Sequence, residues 1–146
     1  MKRAAGVLQK ILPPLWCGML LAIAMEAQLK FGAPGITREL GLGIGKLVFT
    51  ALNRVELVIA MVLAVALFAL PGAAAKRAKV VFGLIAVILL AQTVWLLPLL
   101  IERIDLIVAG QAPPASPGHL IYIALEVSKI TLLLVLSVLV NLSNEN

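Results

Sequence analysis

Residues 80–101 read "VVFGLIAVILLAQTVWLLPLLI", an apolar stretch without a charged side chain. A helix needs about 20 such residues to cross the hydrocarbon core of a bilayer. The whole chain has the same character, because 62% of its 146 residues are hydrophobic, 13% are charged and the mean hydropathy is +1.12. These values exclude an ordinary soluble domain and predict an integral membrane protein.

Three further stretches approach or exceed the same length, so the sequence predicts four membrane-spanning helices. The predicted spans are 13–31, 47–70, 80–101 and 120–142. Little of the chain lies outside them. The expected fold is therefore an all-α integral membrane protein, a four-transmembrane-helix bundle that forms a single domain over residues 1–146.

The first span has the features of a cleavable secretory signal. Lys2 and Arg3 precede an apolar stretch, and Ala22-Ile23-Ala24 resembles a cleavage site. The apolar pattern continues beyond Ala24. An uncleaved first span is the preferred interpretation.

Basic residues collect on the cytoplasmic side of membrane proteins, and four spans put both termini and the central loop on one side. That side holds Lys2, Arg3, Lys10, Lys76, Arg77 and Lys79, with Glu145 as its acidic residue. The other charges balance, so the net charge of +5 lies there. We expect a bacterial-type inner membrane protein with cytoplasmic N- and C-termini. Its basic side is expected to contact lipid head groups, whereas nucleic acid is excluded because no aromatic residues interleave the basic ones.

Polar and charged side chains interrupt all four spans, and the predicted topology places them in the outer half of the membrane. They are Glu26, Lys30, Asn53, Arg54, Glu56, Gln92, Glu102, Arg103, His119, Glu126 and Lys129. A charge at a helix centre costs roughly 2.5–3.5 kcal/mol on the insertion scale, so these groups are expected to pair or to contact water. Helical spacing brings Glu26 close to Lys30 and Glu126 close to Lys129.

Two interpretations of this polar layer stay open. In the functional one, the layer lines a hydrated cavity that is open to the exterior and holds an ion, a proton or a polar solute. In the structural one, it is a salt-bridge network that sets the register and orientation of the helices. The equal numbers of acids and bases favour the network, because an ion site usually carries an excess of one sign.

The connection "FGAPGITRELGLGIGK", residues 31–46, is unusually rich in glycine. We expect a plain loop here, with a re-entrant segment as the alternative. A phosphate cradle is excluded, since the glycines lack the Lys-Ser/Thr pair of a P-loop.

The two tryptophans are expected in different environments. Trp16 is predicted to lie near the cytoplasmic interface, where aromatic belts form. Trp95 is predicted to turn its indole N–H toward a polar group within the bundle, one turn after Gln92.

Metal, redox and catalytic chemistry have little support in the sequence. The chain has one cysteine, Cys17, and one histidine, His119, and the predicted topology puts them near opposite sides of the membrane. No catalytic triad can be assembled from the loops. We therefore expect a protein without catalysis, metal or cofactor. An enzyme that uses a membrane-embedded acid and base on a lipid is the alternative.

Several short motifs occur in an order that resembles a family of unknown function related to transmembrane protein 205. They are Phe31, Ala33 and Pro34 in "F-x-A-P", Gly45, Val48 and Phe49 in "G-x-x-V-F", Gln92 and Pro98 in the third span, and His119 before the fourth. The resemblance covers most of the chain in layout and implies a four-helix membrane fold without an established reaction. The pairs Glu26/Lys30 and Glu126/Lys129 depart from the family pattern.

Two functions fit these features. The first is an accessory subunit or assembly partner of a larger membrane complex, indicated by the small size, the simple loops and the small residues Ala60, Ala64 and Ala66, which allow close helix packing. The second is a carrier or channel component for a small ion or polar solute, indicated by the charged layer. A homo-oligomer is compatible with both.

The orientation gives a direct prediction. A reporter that is active only in the cytoplasm should be active when fused after Asn146, and a reporter that is active only outside should be silent. Changing Lys76, Arg77 and Lys79 to Glu should weaken this orientation, because local basic residues set it. The opposite reporter pattern would reverse the assignment of inner and outer ends.

Overall fold

A computed structural model describes residues 2–68 and 73–142. Helix α1 is Lys2–Leu29, α2 is Arg38–Phe68, α3 is Ala73–Ala91, α4 is Leu97–Val108 and α5 is Gly118–Leu142. A 3-10 turn, Lys30–Gly32, follows α1, and a π-helical turn, Gln92–Leu96, joins α3 to α4 in one continuous rod. The described residues contain no strand, so the fold is all-α.

Because α3 and α4 form one rod, the described helices make four rods, and each is long and apolar enough to cross a membrane. They cover Arg3–Gly32, Arg38–Phe68, Lys76–Val108 and Gly118–Leu142, and therefore extend beyond most of the predicted spans. Residues 69 and 70 of the predicted second span lie outside the described residues, as do Pro71, Gly72, Glu145 and Asn146.

Residues 38–46 were expected in a loop and are instead the first turns of α2, so that part of the prediction is wrong. Thr37 starts the helix, because its hydroxyl accepts a hydrogen bond from the Leu40 N–H at 3.2 Å, the bond of an N-cap residue. Glu39 places an acidic group in the first turn, where the helix dipole favours it. These start signals outweigh the weak helix propensity of the glycines that follow.

Two glycines of α2 have a packing role. Gly41 and Gly45 lie one turn apart and are both buried. A Cβ at Gly41 would lie 2.3 Å from the ring of Phe31, and one at Gly45 would lie 3.1 Å from the Lys30 Nζ. The glycines therefore let the 3-10 turn that follows α1 approach the backbone of α2 closely.

The π-helical turn precedes Pro98, which occupies the first turn of α4. Proline has no N–H and its ring clashes with the preceding turn, so a regular α-helix is disturbed at this point. The Leu97 N–H instead donates to the Gln92 carbonyl, five residues back. Such π-helical turns are frequent at functional sites, and here the turn begins at the buried Gln92.

The helices form a square bundle. Helix α1 packs against α2 and α5, and α3 packs against the same two helices from the opposite corner. Beyond the π-helical turn, α4 stays against α2 but has few contacts with α5. The bundle is therefore more open at the end formed by the C-termini of α1 and α4 and the N-termini of α2 and α5. We call this the outer end, after its predicted orientation.

The apolar core fills the other half of the bundle. Its fully buried side chains include Leu63, Ile85, Leu89, Leu133 and Leu136. In contrast, large apolar side chains such as Leu47, Val65 and Val94 are more than 70% exposed. A bundle that is apolar on its outside as well as its inside is suited to lipid and not to water.

Candidate functional site

Lys129 is the centre of a buried polar cluster near the middle of the bundle. Its Nζ lies 2.5 Å from Glu56 Oε1, 2.8 Å from Gln92 Oε1 and 3.0 Å from Glu126 Oε1. An ammonium group has three N–H donors, so these three acceptors match its full capacity. The side chain of Lys129 is completely buried.

The same cluster extends to α1 through Trp16. The indole Nε1 of Trp16 donates to Glu56 Oε1 at 2.8 Å, and Gln92 Nε2 donates to Glu126 Oε1 at 3.1 Å. Each of the four rods thus contributes a side chain. No buried side-chain nitrogen or oxygen within residues 2–68 and 73–142 lacks a hydrogen-bond partner. The cluster satisfies its own polar groups, as a stable buried network must.

Helix geometry explains how these residues meet. Glu126 and Lys129 are three residues apart on α5 and share one face. Gln92 begins the π-helical turn, which keeps it and Leu96 on the buried side of the rod. Asn53, one turn before Glu56, donates to the Thr93 hydroxyl at 2.8 Å and so ties α2 to the same turn.

The cluster contains two carboxyl groups and one ammonium group. With both carboxyl groups ionised, the formal charge of the cluster is −1. The equal numbers of acids and bases in the predicted polar layer are therefore not found within this cluster. Glu126 is the more accessible acid, with 17% of its side chain exposed, against 1% for Glu56. Tyr122, one turn before Glu126 on α5, is also buried.

The other predicted layer residues do not join this cluster. Glu26 and Lys30 form a separate pair at the outer end, with 3.4 Å between Glu26 Oε2 and Lys30 Nζ. Arg54 and Glu102 are exposed. Arg103 donates to the Pro114 carbonyl in the loop before α5, and His119 is exposed at the start of α5. The predicted layer is thus divided between the middle of the bundle, its outer end and its surface.

The prediction of an interfacial Trp16 is wrong, because this side chain is fully buried and contacts Glu56. Helix α1 begins at Lys2, well before the predicted first span, so Trp16 lies near the middle of the helix. The inward orientation predicted for Trp95 is also wrong, since 56% of this residue is exposed.

A cavity of about 380 Å³ lies at the outer end, where α4 separates from α5. Its apolar lining includes Phe49, Leu97, Leu100, Ile101, Ile104 and Ile107. Its polar lining includes Lys30, Arg38, Lys46, Arg103, His119 and Tyr122. No aspartate or glutamate lines the cavity. Tyr122 belongs to this lining and lies one turn before Glu126 of the buried cluster on α5.

The basic side chains of the cavity differ in their partners. Lys46 forms an ion pair with Asp105, with Nζ–O distances of 2.6 and 2.7 Å. Lys30 has 9% of its side chain exposed, and its ammonium lies 5.7 Å from the ring centroid of Phe31 and 5.9 Å from that of Phe49. These distances allow cation–π attraction, which stabilises a cation with few carboxylate contacts.

Metal binding has no support in the described parts of the chain, 2–68 and 73–142. No group of three or more His, Cys, Asp or Glu side chains there is placed to hold a metal ion. The buried cluster offers two carboxyl groups, and Lys129 already occupies the space between them.

No known protein family, curated protein or solved structure matches the chain. The resemblance to the family related to transmembrane protein 205 therefore stays a prediction from its short motifs.

The two tryptophans form a matched pair for testing the cluster. Trp16→Phe removes the hydrogen bond to Glu56 while keeping most of the ring, and a bond to a charged group contributes about 1.5–3 kcal/mol. Trp95→Phe changes an exposed side chain and should stay within about 0.5 kcal/mol of the wild type. The free energy of unfolding in detergent should thus fall for the first variant only. Equal values for the two variants would contradict the assigned role of Trp16.

Proposed function

We propose that the chain is a multi-pass protein of the bacterial-type inner membrane, a four-transmembrane-helix bundle with cytoplasmic termini. Four rods of sufficient length and apolarity support the transmembrane part. The concentration of Lys and Arg at the termini and in the central loop supports the orientation. In this membrane it acts without catalysis, as an accessory subunit or assembly partner of a larger complex.

One observation carries the assembly role. Arg54 lies near the middle of α2 and is exposed on the outside of the bundle. It is two residues from the buried Leu52 and from the buried Glu56, so at about 100° per residue it points away from the core. Within residues 2–68 and 73–142 no hydrogen bond or ion pair reaches its guanidinium group.

An arginine in this position is unfavourable in contact with lipid alone. The insertion scale assigns roughly 2.5–3.5 kcal/mol to an arginine at a helix centre, and charged residues within membrane spans usually face protein or water. The guanidinium therefore indicates a protein partner that brings an acceptor to the same depth. A carboxylate is the best acceptor, because it binds guanidinium through paired, charge-assisted hydrogen bonds.

The partner is proposed to be a transmembrane helix of a different protein. The carboxyl groups of this chain at the matching depth, Glu56 and Glu126, already contact Lys129. Exposed apolar side chains continue the surface above and below Arg54 at helical spacing, namely Leu47, Val58, Met61 and Val65. These side chains form the face of α2 on which a partner helix would pack.

The alanines that first indicated close packing do not contribute to this face. Ala60 and Ala66 are 9% and 3% exposed, and they pack inside the chain's own bundle. The interaction surface is therefore assigned to the Arg54 side of α2.

The carrier or channel component is the alternative. It requires a path past the middle of the bundle, where Lys129 and Glu56 are in direct contact and buried. The cavity at the outer end has Tyr122 in its lining on the side of this cluster. Flux of an ion or polar solute into liposomes that contain only this chain would support the alternative over the assembly role.

The assembly role is tested by changing Arg54 and measuring the intact mass of the complex. Native mass spectrometry after gentle extraction should show the wild-type chain with a second protein in fixed ratio. Arg54→Leu should abolish this species, because no cation remains to bind the partner carboxylate, and Arg54→Lys should retain part of it. Lys10→Leu, which removes an exposed cation from α1, serves as the control and should leave the complex intact.

Sequencing of the second protein completes the test. It should have a glutamate or aspartate within a membrane span, and neutralising that residue should dissociate the complex as Arg54→Leu does. A wild-type chain that is monomeric, or a complex that survives Arg54→Leu, would contradict the proposal. A homo-oligomer lost in Arg54→Leu would contradict the choice of a different protein as partner.

A further inference from the structure

The cavity at the outer end combines positive charge with an apolar interior. Five of its lining side chains are Lys30, Arg38, Lys46, Arg103 and His119. No acidic side chain is in the lining, so the charged groups that face the cavity are cations. The carboxylates of Glu26 and Asp105, which contact Lys30 and Lys46, lie outside the lining. Aliphatic and aromatic side chains of α2 and α4 make up most of the remaining wall.

Lys30 is largely buried, with 9% of its side chain exposed, against 34% for Lys46. It has one carboxylate contact, at 3.4 Å to Glu26, and Glu26 itself is not part of the lining. A lysine ammonium has three donors, so this contact uses only part of its capacity. By comparison, Lys129 has three acceptors within 3.0 Å. An anion in the cavity would supply Lys30 with the acceptors that the chain does not.

The local backbone holds the Lys30 ammonium at the cavity wall. Gly45 lies beside it, and a Cβ at that position would be 3.1 Å from Nζ. The rings of Phe31 and Phe49 are both in the lining and within 6 Å of Nζ. The cation therefore lies between a bare segment of helix backbone and two aromatic rings.

Two further basic side chains of the lining lie nearer the surface. Arg38 is the first residue of α2 and His119 is the second residue of α5, and both are exposed. Lys46 and Arg103 already have protein acceptors, Asp105 and the Pro114 carbonyl. The cations left for a ligand are therefore Arg38, which is exposed, and Lys30, which is largely buried.

The shape and chemistry of the cavity select the class of ligand. Its volume of about 380 Å³ falls within the range of small-molecule sites, roughly 300–1,000 Å³. A free inorganic anion would make no apolar contact with the lining side chains of Leu97, Leu100 and Ile104. An amphiphile whose anionic group reaches Lys30 and whose apolar part lies along α4 would contact both kinds of wall.

We propose that this outer cavity is a binding site for one anionic amphiphile, with its phosphate or carboxylate group at Lys30 and Arg38. The ligand chemistry is that of an acidic phospholipid or of a fatty acid. Charge-assisted hydrogen bonds to the anion and burial of the apolar chain act together in binding it. This site is independent of Arg54, which lies on the outside of α2.

Binding is measured on the purified full chain in a neutral detergent by native mass spectrometry. The probes are palmitoyl-oleoyl phosphatidylglycerol, oleate and palmitoyl-oleoyl phosphatidylcholine, titrated separately. Phosphatidylglycerol or oleate should bind at a ratio of one per chain and at least about tenfold more tightly than phosphatidylcholine. Preference for phosphatidylglycerol identifies a phospholipid headgroup site, and preference for oleate a fatty-acid site.

The variants assign the binding to the cavity. Lys30→Met should weaken binding of the preferred anionic probe by about tenfold, and Arg38→Gln should weaken it by a smaller factor because Arg38 is exposed. Lys10→Met, at the other end of α1, is the matched control and should bind as the wild type does. Arg38→Gln also covers the case in which Lys30→Met fails to fold, since an exposed side chain is tolerant of change.

Three results would overturn the proposal. The first is equal binding of phosphatidylcholine and both anionic probes, which would indicate unselective lipid contact. The second is wild-type affinity in both Lys30→Met and Arg38→Gln. The third is an equal loss in Lys10→Met, which would show that total charge and not the cavity determines binding.

Discussion

The buried ion pair of Lys129 and Glu56 joins side chains of all four rods at the middle of the bundle. Helices α5 and α2 occupy diagonal corners of the square bundle, so the 2.5 Å contact between these side chains crosses its centre. Gln92 and Trp16 approach the same two residues from the other diagonal. Removing one partner of a buried pair leaves an uncompensated charge. Each of the four rods must therefore be rotated so that its polar side chain points to this centre.

The position of this contact divides the bundle into two parts with different properties. On one side, Leu63, Ile85, Leu133 and Leu136 form a close-packed apolar core. On the other side, α4 leaves α5 after the π-helical turn, and the cationic cavity occupies the space between them. The cluster around Lys129 thus lies at the boundary between these two parts.

The number of helices and their polar residues were predictable because both follow from composition and length along the chain. The partners of those residues were not, since they depend on helix rotation. Helix α1 is apolar on most of its circumference, so its sequence does not indicate that Trp16 faces Glu56. Arg54 is the converse case. Its position in the sequence already predicted that it lies on a different face of α2 from Asn53 and Glu56. In the structure Arg54 is exposed on the outside of the bundle.

A double-mutant cycle on Glu56 and Lys129, followed by unfolding in detergent, tests directly whether this ion pair stabilises the bundle. Lys129→Met alone should cost about 3–5 kcal/mol, because it leaves buried carboxyl groups without their cation. Combining it with Glu56→Gln should cost at least about 1 kcal/mol less than the sum of the two single changes. Additive losses would contradict the central role of this contact.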